Sequence, residues 1–371
     1  MPGGSKTDGA ETGGGGKPAW RGLGSRPKVA IIGIGQMGLV CSGVLTSADR
    51  GKPPTAPTPE VRLWGHNADK VAALSQTRKS PRLPEFQAPS EVRVMMNEAE
   101  ALRDADVIVS AAPAQATREA WTRLAPHVPR TAAVVSVAKG IENGTLLRPT
   151  QVIADVLGDD PDGPPRPIGC LSGPTIATEL VRCLPATMIA ASEYPGFAAE
   201  LQKLFSTSWL RVYSNPDLLG VELAGALKNV IAIAAGILDG LQAGDNAKSA
   251  LLARGLAEIV RLGAAMGASS PTFFGIAGVG DLVTTCFSSS GRNRACGEAL
   301  GRGEPLDAYL DRAGHVVEGV ATCQSAMDLA ARYRIEMPIT EAVFAVLFEG
   351  LDALQGISQL MSRELRDERI G

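Results

Sequence analysis

Residues 28–45 read KVAIIGIGQMGLVCSGVL, a run of β-branched residues, a glycine-rich turn and a segment that can continue as a helix. Gly33, Gly35 and Gly38 give the spacing G-x-G-x-x-G. In such a turn the first glycine makes a tight bend, the second lets the backbone approach a pyrophosphate, and the third allows close helix-to-strand packing. The helix N-terminus adds N–H donors and the positive end of its dipole. The stretch therefore predicts a dinucleotide-binding unit.

The alternation of strand and helix continues outward from this unit. Apolar, strand-like runs recur between helical segments as EVRLWGHN (60–67), VRVMM (92–96), ADVIVSAAP (105–113), TAAVVSVAKG (131–140), PIGCLS (167–172), PATMIAAS (185–192) and WLRVYSNPD (209–217). Strands that are apolar on both faces indicate a mostly parallel sheet covered by helices. From about residue 216 the strand signals stop. We expect an α/β, doubly wound Rossmann-type domain over 28–214, followed by an all-helical domain over 215–371.

Two segments of the chain lack the apolar residues that folding needs. Residues 1–27 are rich in glycine and predict a disordered tail. They lack the apolar core of a secretory signal, although an organellar address stays open. Residues 46–60, TSADRGKPPTAPTPE, form a proline-rich insertion that predicts an exposed loop.

The composition excludes several classes of function. The net charge of −3 over 371 residues gives no global positive field for nucleic acid or anionic membranes. Three histidines and six scattered cysteines show no metal-ligand or disulfide-dense spacing, which disfavours a metal site and suits a reducing cytoplasm. Apolar runs such as VIAIAAGIL reach about half of a bilayer-spanning length, so we expect no transmembrane helix.

The end of the second predicted strand bears on the choice of dinucleotide. An Asp or Glu at this place holds the ribose hydroxyls of NAD, but this chain has His66 and Asn67 there. Without a carboxylate, nothing repels a 2′-phosphate. We therefore expect either NADP or NAD to be used, with a mild preference for NADPH. His66 could also be an ordinary polar residue at a strand end.

Lys228 and Asn229 interrupt the apolar stretch ELAGALKNVIAIAAGI (222–237). A lysine in this setting can lay its stem on apolar surface and keep its ammonium in water. Alternatively, the small residues before it leave room for a ligand, and burial lowers a lysine pKa towards the range useful for proton transfer. We favour the second interpretation, in which Lys228 exchanges a proton with an alcohol or carbonyl oxygen.

Two further segments carry polar groups among glycines. GIAGVGDLVTTCFSSSGRNRACG (275–297) contains Asp281 and Arg292, whose planar guanidinium suits a phosphate. A solvated loop followed by a helix would explain Arg294 but not Asp281. SVAKGIENG (136–144) places Lys139 after a strand, at the sheet edge where ligands bind. By itself Lys139 could equally be a surface residue.

With these residues in view, the chain from about residue 28 to 368 resembles NAD(P)-dependent glycerol-3-phosphate dehydrogenase of the bacterial type. The matching segments occur in the family's order: LSGPTIATEL, ELAGALKNVIAIAAGILDGL, DNAKSALLARGLAEIVRLG, GVGDLVTTC with GRNR, VVEGV and EMPITEAV. The resemblance implies reversible hydride transfer between NAD(P)H and dihydroxyacetone phosphate, giving sn-glycerol 3-phosphate for glycerophospholipid synthesis. It also implies a cytoplasmic homodimer, with the helical domain as the expected interface.

The resemblance assigns roles position by position. Lys228 matches the general acid/base. The substrate-contacting positions are Lys139, Gly173, Thr175, Lys228, Asp281, Gly291, Arg292 and Asn293. The cofactor-contacting positions are Gly33, Gly35, Gln36, Met37, Gly38, His66, Lys139, Ala177, Arg292, Val316 and Glu318.

The chain departs from the family pattern at several places. Gln36 and Met37 stand where Ser and an aromatic residue are frequent, and Gly291 replaces a frequent Ser. SAAPAQATREA (110–120) replaces a VPS-type turn, and the insertion at 46–60 is unusual.

Two other functions stay open: a β-hydroxyacid dehydrogenase, which needs a carboxylate-binding site, and an NAD(P)-sensing protein without turnover.

Overall fold

The computed structural model describes residues 22–46, 57–158, 166–194 and 196–364. The predictions for most of the N-terminal tail (1–21) and for most of the proline-rich loop (47–56) lie outside these residues. Within them, the predicted fold class is confirmed: a mostly parallel sheet with helices comes first, and helices follow it.

Eight strands form one sheet in the order β10-β9-β8-β7-β6-β1-β2-β5. Neighbouring strands run parallel, apart from the antiparallel pair β8–β9. The strands, including a separate β3–β4 hairpin, are β1 (Lys28–Ile32), β2 (Glu60–Trp64), β3 (Lys79–Ser80), β4 (Leu83–Gln87), β5 (Arg93–Met95), β6 (Val107–Ser110), β7 (Ala133–Ser136), β8 (Ile168–Ser172), β9 (Ala186–Ser192) and β10 (Leu210–Asn215).

The order of the strands reverses beside β1. The chain passes from β1 to β2 and β5 on one side, and then returns to β6 on the other. Ile32 at the end of β1 pairs with Trp64 on one side and Ser110 on the other. In open α/β sheets, ligands bind at such a reversal, outside the carboxyl ends of the strands. The glycine-rich turn begins at the next residue, so the fold places it at the expected binding edge.

In the described residues, seven α-helices lie between these strands: α1 (Gln36–Leu45), α2 (Ala68–Thr77), α3 (Glu98–Leu102), α4 (Thr117–Leu124), α5 (Pro149–Leu157), α6 (Ala177–Val181) and α7 (Phe197–Phe205). They cover both faces of the sheet, whose strands β1, β6 and β7 are buried on each side. The sequence interpretation did not include the β3–β4 hairpin. Its ten-residue stretch KSPRLPEFQA (79–88) carries two prolines, which are uncommon inside strands.

Helices make up the regular structure after β10 in the described chain. They are α8 (Leu218–Gly240), α9 (Asp245–Ala265), α10 (Ser270–Phe273), α11 (Asp281–Phe287), α12 (Arg292–Gly301), α13 (Leu306–Ala313), α14 (Glu318–Tyr333), α15 (Pro338–Phe348) and α16 (Ala353–Met361). A π-helical turn, Ile276–Gly280, leads into α11.

Helix α8 is the centre of the helical part. Among the described residues, it alone is long and apolar enough to cross a membrane, and its most apolar window is completely buried inside the protein. It therefore serves as a core helix. A Cβ on Gly236 of α8 would lie 1.9 Å from the carbonyl oxygen of Arg294, and one on Gly297 would lie 1.9 Å from that of Ile233. The two glycines thus let α8 and α12 pack backbone to backbone.

A buried ion pair joins α8 to the α/β part. Arg148 precedes α5, and its Nη1 lies 2.6 Å from Oε2 of Glu222 on α8. Thr150 donates its hydroxyl to Oε2 at 2.6 Å and its backbone N–H to Oε1 at 3.1 Å. All three side chains are buried. This cluster fixes α8 against the sheet domain and so positions the residues further along α8.

Candidate active site

The glycine-rich turn leaves open space at Gly35, beside the N-terminus of α1. Gly33 has a φ of 115°, and a Cβ there would lie 2.9 Å from the carbonyl oxygen of Ala111. A Cβ on Gly38 would lie 1.9 Å from the carbonyl oxygen of Gly33. At Gly35, by contrast, a Cβ would meet only Nη1 of Arg82, at 4.0 Å. The first and third glycines are thus required by packing, and the second faces open space that a ligand can enter.

Gln36 and Met37 are the first two residues of α1, and no side chain caps this helix. The Gln36 amide donates to the backbone carbonyl of Arg82 at 2.8 Å, which ties the β3–β4 hairpin to the turn. Met37 packs against the sheet core. The uncapped N–H groups at the start of α1 are the donors that a phosphate uses.

His66 lies two residues beyond the end of β2, where it is exposed. Asn67 does not face a ligand there, since its side chain caps α2 by accepting from the N–H of Lys70 at 3.0 Å. In the described chain, no hydrogen bond joins His66 to another candidate site residue. It therefore stands apart from the cluster around Lys228, at the end of the sheet edge where the ribose of a dinucleotide lies.

Lys228 lies in the middle of α8 and is 5% exposed. Its Nζ is 3.0 Å from Oδ1 of Asp281, and it also donates to the hydroxyl of Thr285. Burial lowers the pKa of Lys228 from 10.5 to about 8, although the charge of Asp281 acts in the opposite direction. The amine is thus held away from open solvent, and it titrates near neutral pH.

Asp281 joins two lysines. It begins α11 and is 2% exposed, and its second oxygen, Oδ2, lies 2.7 Å from Nζ of Lys139. The positive charge of Lys139 lowers the pKa of Lys228 further. One carboxylate therefore accepts from both amines, and the charge of Lys139 acts on the proton affinity of Lys228.

Lys139 follows β7 and reaches across the sheet edge. Its Nζ donates to the carbonyl oxygen of Gly173 at 2.8 Å and to the hydroxyl of Thr175 at 3.3 Å. Gly173 has a φ of 105°, in the region that favours glycine. Ala177, four residues after Gly173, is the first residue of α6. Lys139, Gly173 and Thr175 therefore meet Asp281, and through it Lys228, at one place.

Asn293 connects the phosphate-binding candidates to α8. Its Nδ2 donates to Oδ1 of Asn229 at 2.8 Å, and its Oδ1 accepts from the N–H of Gly319 at 2.9 Å. Asn229 in turn donates to the carbonyl oxygen of Lys139 at 3.1 Å. Gly291 is the N-cap position of α12. The chain of amides therefore fixes the start of α12 beside Lys228.

Arg292 lies at the start of α12, where its Nη1 donates to the carbonyl oxygen of Val316 at 3.4 Å. Desolvation lowers the pKa of Arg292 and the positive charge of Arg82 adds to this effect, while Glu318 opposes it. Glu318 begins α14, and burial raises its pKa. Arg292, Val316 and Glu318 thus form a second group, and the charge of Arg82, which lies beside the glycine-rich turn, acts on Arg292.

A dinucleotide fits the residues present. The turn is open at Gly35, and Oε2 of Glu318 is buried without a hydrogen-bond partner in the described chain. Its other oxygen accepts from the N–H of Ala114 at 3.2 Å. A buried carboxylate oxygen without a donor is costly, and a ligand amide would satisfy it. No group of three or more His, Cys, Asp or Glu among the described residues could hold a metal ion.

The sequence interpretation did not select four polar residues that the structure places here. Thr285 bonds Lys228, and Arg82 faces Gly35. The hydroxyls of Ser172 and Thr322 are buried without partners in the described chain. Only Thr285 carried a usable signal, because it follows Asp281 by four residues and so lies on the same helix face.

The chain is similar to known dehydrogenases along most of its length. Residues 28–198 match the family described as NAD-dependent glycerol-3-phosphate dehydrogenase N-terminus, and residues 217–358 match its C-terminus. The chain is 42% identical to glycerol-3-phosphate dehydrogenase (NAD(P)+) 2 of Mycobacterium bovis over 92% of this chain and 98% of that protein. The Bacillus subtilis glycerol-3-phosphate dehydrogenase (NAD(P)+) is 42% identical over 91% and 94%. The crystal structure of glycerol-3-phosphate dehydrogenase from Coxiella burnetii superposes with a TM-score of 0.84, at 33% identity, over 92% of this chain and all of that one.

Proposed function

This chain belongs to the NAD-dependent glycerol-3-phosphate dehydrogenase family, and we propose that it interconverts dihydroxyacetone phosphate and sn-glycerol 3-phosphate with NADPH or NADH. The observation that carries the proposal is the buried amine of Lys228, whose pKa is about 8 and which is held by Asp281. An acid of this pKa can give a proton to a carbonyl oxygen near neutral pH. The product is a precursor for glycerophospholipid synthesis.

Lys228 is the proton donor in reduction and the proton acceptor in oxidation. Asp281 accepts a hydrogen bond from the ammonium and holds it in one direction, because the same carboxylate is fixed by Lys139. Thr285 contacts the same Nζ. These contacts keep a single lysine rotamer in place and so supply the orientation on which proton transfer depends.

The phosphate of the triose is held by Arg292 and Asn293, with Lys139, Gly173, Thr175 and Gly291 as further substrate-binding residues. Arg292 supplies a planar fork of donors, and Asn293 is fixed by Asn229 and Gly319. Binding energy from a phosphate remote from the reacting carbon can orient that carbon. Dihydroxyacetone without its phosphate should therefore lose kcat as well as affinity.

The cofactor-binding residues are proposed to be Gly33, Gly35, Gln36, Met37, Gly38, His66, Lys139, Ala177, Arg292, Val316 and Glu318. The nicotinamide group, when bound, supplies or receives the hydride. The turn and the start of α1 receive the diphosphate, and Glu318 offers an unpartnered oxygen to the carboxamide. No carboxylate stands at His66 to repel a 2′-phosphate, which supports the mild preference for NADPH.

The test is oxidation of NADPH, run beside NADH, with dihydroxyacetone phosphate and with β-keto acids. We expect turnover with the phosphorylated triose and both cofactors, and none with the β-keto acids. Turnover of β-keto acids alone would point to a β-hydroxyacid dehydrogenase instead. Cofactor binding with no turnover of either substrate would indicate a sensor. A hundredfold preference for NADH would refute the expected cofactor preference.

The homodimer and the cytoplasmic location are also proposals. The exposed apolar side chains of Phe348, Leu354 and Met361 on α15 and α16 support an interface on the helical part. Five of the six cysteines are buried, which suits thiols that act as small core residues in a reducing compartment. Light scattering of the purified protein would measure the oligomeric state, and a monomeric mass would contradict the proposed homodimer.

A further inference from the structure

The β3–β4 hairpin presents a cation to the ligand side of the glycine-rich turn. Arg82 lies between the two hairpin strands, and its Nη1 is 4.0 Å from the place that a Cβ on Gly35 would occupy. In the described chain no other heavy atom lies within that distance of this place, apart from those of the turn itself. The hairpin is attached to the turn, because the amide of Gln36 bonds the Arg82 carbonyl oxygen.

The guanidinium of Arg82 has no anionic partner in the part of the chain that the structure describes. Among the described residues, Arg82 forms hydrogen bonds only through its backbone, as acceptor from Gln36 and as donor from its N–H to Ser80 Oγ at 3.4 Å. The carboxylate of Glu85, on the same hairpin, pairs instead with Arg182 at 3.9 Å. An exposed arginine can remain solvated, but this one is directed at the turn and not away from it.

Arg82 also acts on the second cation of the site. Its positive charge lowers the pKa of Arg292, so the two guanidinium groups repel each other across the space between the turn and α12. An anion placed between them would be attracted by both and would remove this repulsion. The start of α1, whose N–H groups have no side-chain cap, borders the same space.

We propose that Arg82 binds the diphosphate of the dinucleotide and closes the glycine-rich turn from the hairpin side. This role goes beyond the residues assigned by the motif, since the motif supplies backbone donors and no charge. Bound diphosphate would also neutralise Arg82 and so remove its repulsion of Arg292. The inference rests on the proposed function, because it requires that the turn holds NAD(P)H.

The experiment measures binding of NADH and of NADPH by fluorescence titration, without triose, to the wild type and to three variants. Arg82→Gln removes the charge but keeps the backbone bond to Gln36, and Arg82→Lys keeps the charge. Lys79→Gln removes another exposed cation of the same hairpin and serves as the matched control. Arg82 is exposed, so all variants should fold, which their melting temperatures would verify.

We expect Arg82→Gln to raise the Kd of NADH and NADPH alike by about 10- to 100-fold, as loss of a charge-assisted contact does. Arg82→Lys should recover most of this loss, Lys79→Gln should stay within about twofold, and the wild-type advantage should decline with added salt. Unchanged Kd values in Arg82→Gln would overturn the inference. So would a rise for NADPH alone, which would assign Arg82 to the 2′-phosphate. Failure of the wild type to bind either cofactor would instead defeat the proposed function itself.

Discussion

Oδ1 of Asp281 lies 3.0 Å from Nζ of Lys228, and the two residues come from helices α11 and α8. The contact fixes the direction of the buried Lys228 amine. The charge of Asp281 also raises the pKa of Lys228 and so offsets part of the effect of burial. Without it, burial alone would lower the pKa of Lys228 further. We therefore expect the proposed proton transfer to depend on this pair and on its neighbour Lys139.

Replacing Lys228 by Met should abolish turnover while leaving the fold intact. The side chains are similar in length, but Met has no proton to give, and a positioned acid contributes about 10²- to 10⁴-fold to rate. Single-turnover reduction of dihydroxyacetone phosphate measures the effect, with Lys203→Met, an exposed lysine on α7, as control. Retention of a tenth of the wild-type kcat would rule out the proposed role.

The rate of reduction should fall as pH rises through about 8, and the rate of oxidation should rise over the same range. Reduction needs the protonated amine of Lys228, and oxidation needs the neutral amine. Plots of log kcat/KM against pH for the two directions measure this. Parallel profiles for both directions would show that another group controls the rate.

Asp281→Asn and Lys139→Met should move this pH dependence in opposite directions. The Asp281 carboxylate raises the pKa of Lys228, so its loss should shift the apparent pKa to lower pH. The Lys139 ammonium lowers it, so its loss should shift the apparent pKa to higher pH. Both variants will be slower, but the midpoint of the pH profile is measurable at low activity. Shifts in the same direction would contradict the arrangement of charges described here.

Glu222→Gln should destabilise the protein by about 3–5 kcal/mol, because it leaves the buried charge of Arg148 without its partner. Urea unfolding measures the loss. Lys203→Met, which breaks an exposed pair with Glu200, is the control and should cost at most about 1 kcal/mol. Equal effects of the two substitutions would mean that the Arg148–Glu222 pair does not hold α8 to the sheet domain.

Glu258 on α9 should give the stability a pH dependence of its own. It accepts from the N–H groups of Ile339 and Thr340 at the start of α15, and burial raises its pKa from 4.5 to about 7. Between pH 4.5 and about 7, Glu258 is protonated in the folded state but ionised in the unfolded state. The free energy of unfolding therefore falls as pH rises through this range. The slope is at most about 1.4 kcal/mol per pH unit for one proton.

The measurement compares the free energy of unfolding of the wild type with that of Glu258→Gln between pH 4.5 and 8. The difference should fall with rising pH up to about 7 and then become constant. Glu341→Gln, an exposed residue of α15, should leave the pH dependence unchanged. A difference that does not vary with pH would show that Glu258 keeps its ordinary pKa in the folded protein.

The sequence predicted the elements whose signal is local. The run from Lys28 to Leu45 specified a strand, a turn and a helix, because β-branched residues, glycines and helix-forming residues follow one another there. The same reasoning found every strand of the large sheet. It did not reveal that β8 and β9 run antiparallel. The pattern of residues along a strand does not specify the direction of its neighbour in the sheet.

The β3–β4 hairpin shows where local patterns fail. Its strands are short and half polar, and its prolines are typical of loops. In the structure its two strands pair with each other and pack against α1, α2 and α6, and this arrangement brings Arg82 to the glycine-rich turn. Arg82 follows Gln36 by 46 residues in the sequence. No residue spacing would have predicted that these two residues meet at one site.

The sequence alone therefore determined the α/β-then-helical order, the glycine-rich turn and the presence of an amine in an apolar helix. The tertiary structure decided what that amine touches. Lys139 and Asp281 are separated by 142 positions in the chain, yet they are 2.7 Å apart, and both act on Lys228. A helix or strand forms from neighbours in sequence, whereas a pKa depends on burial and on charges that only folding brings together.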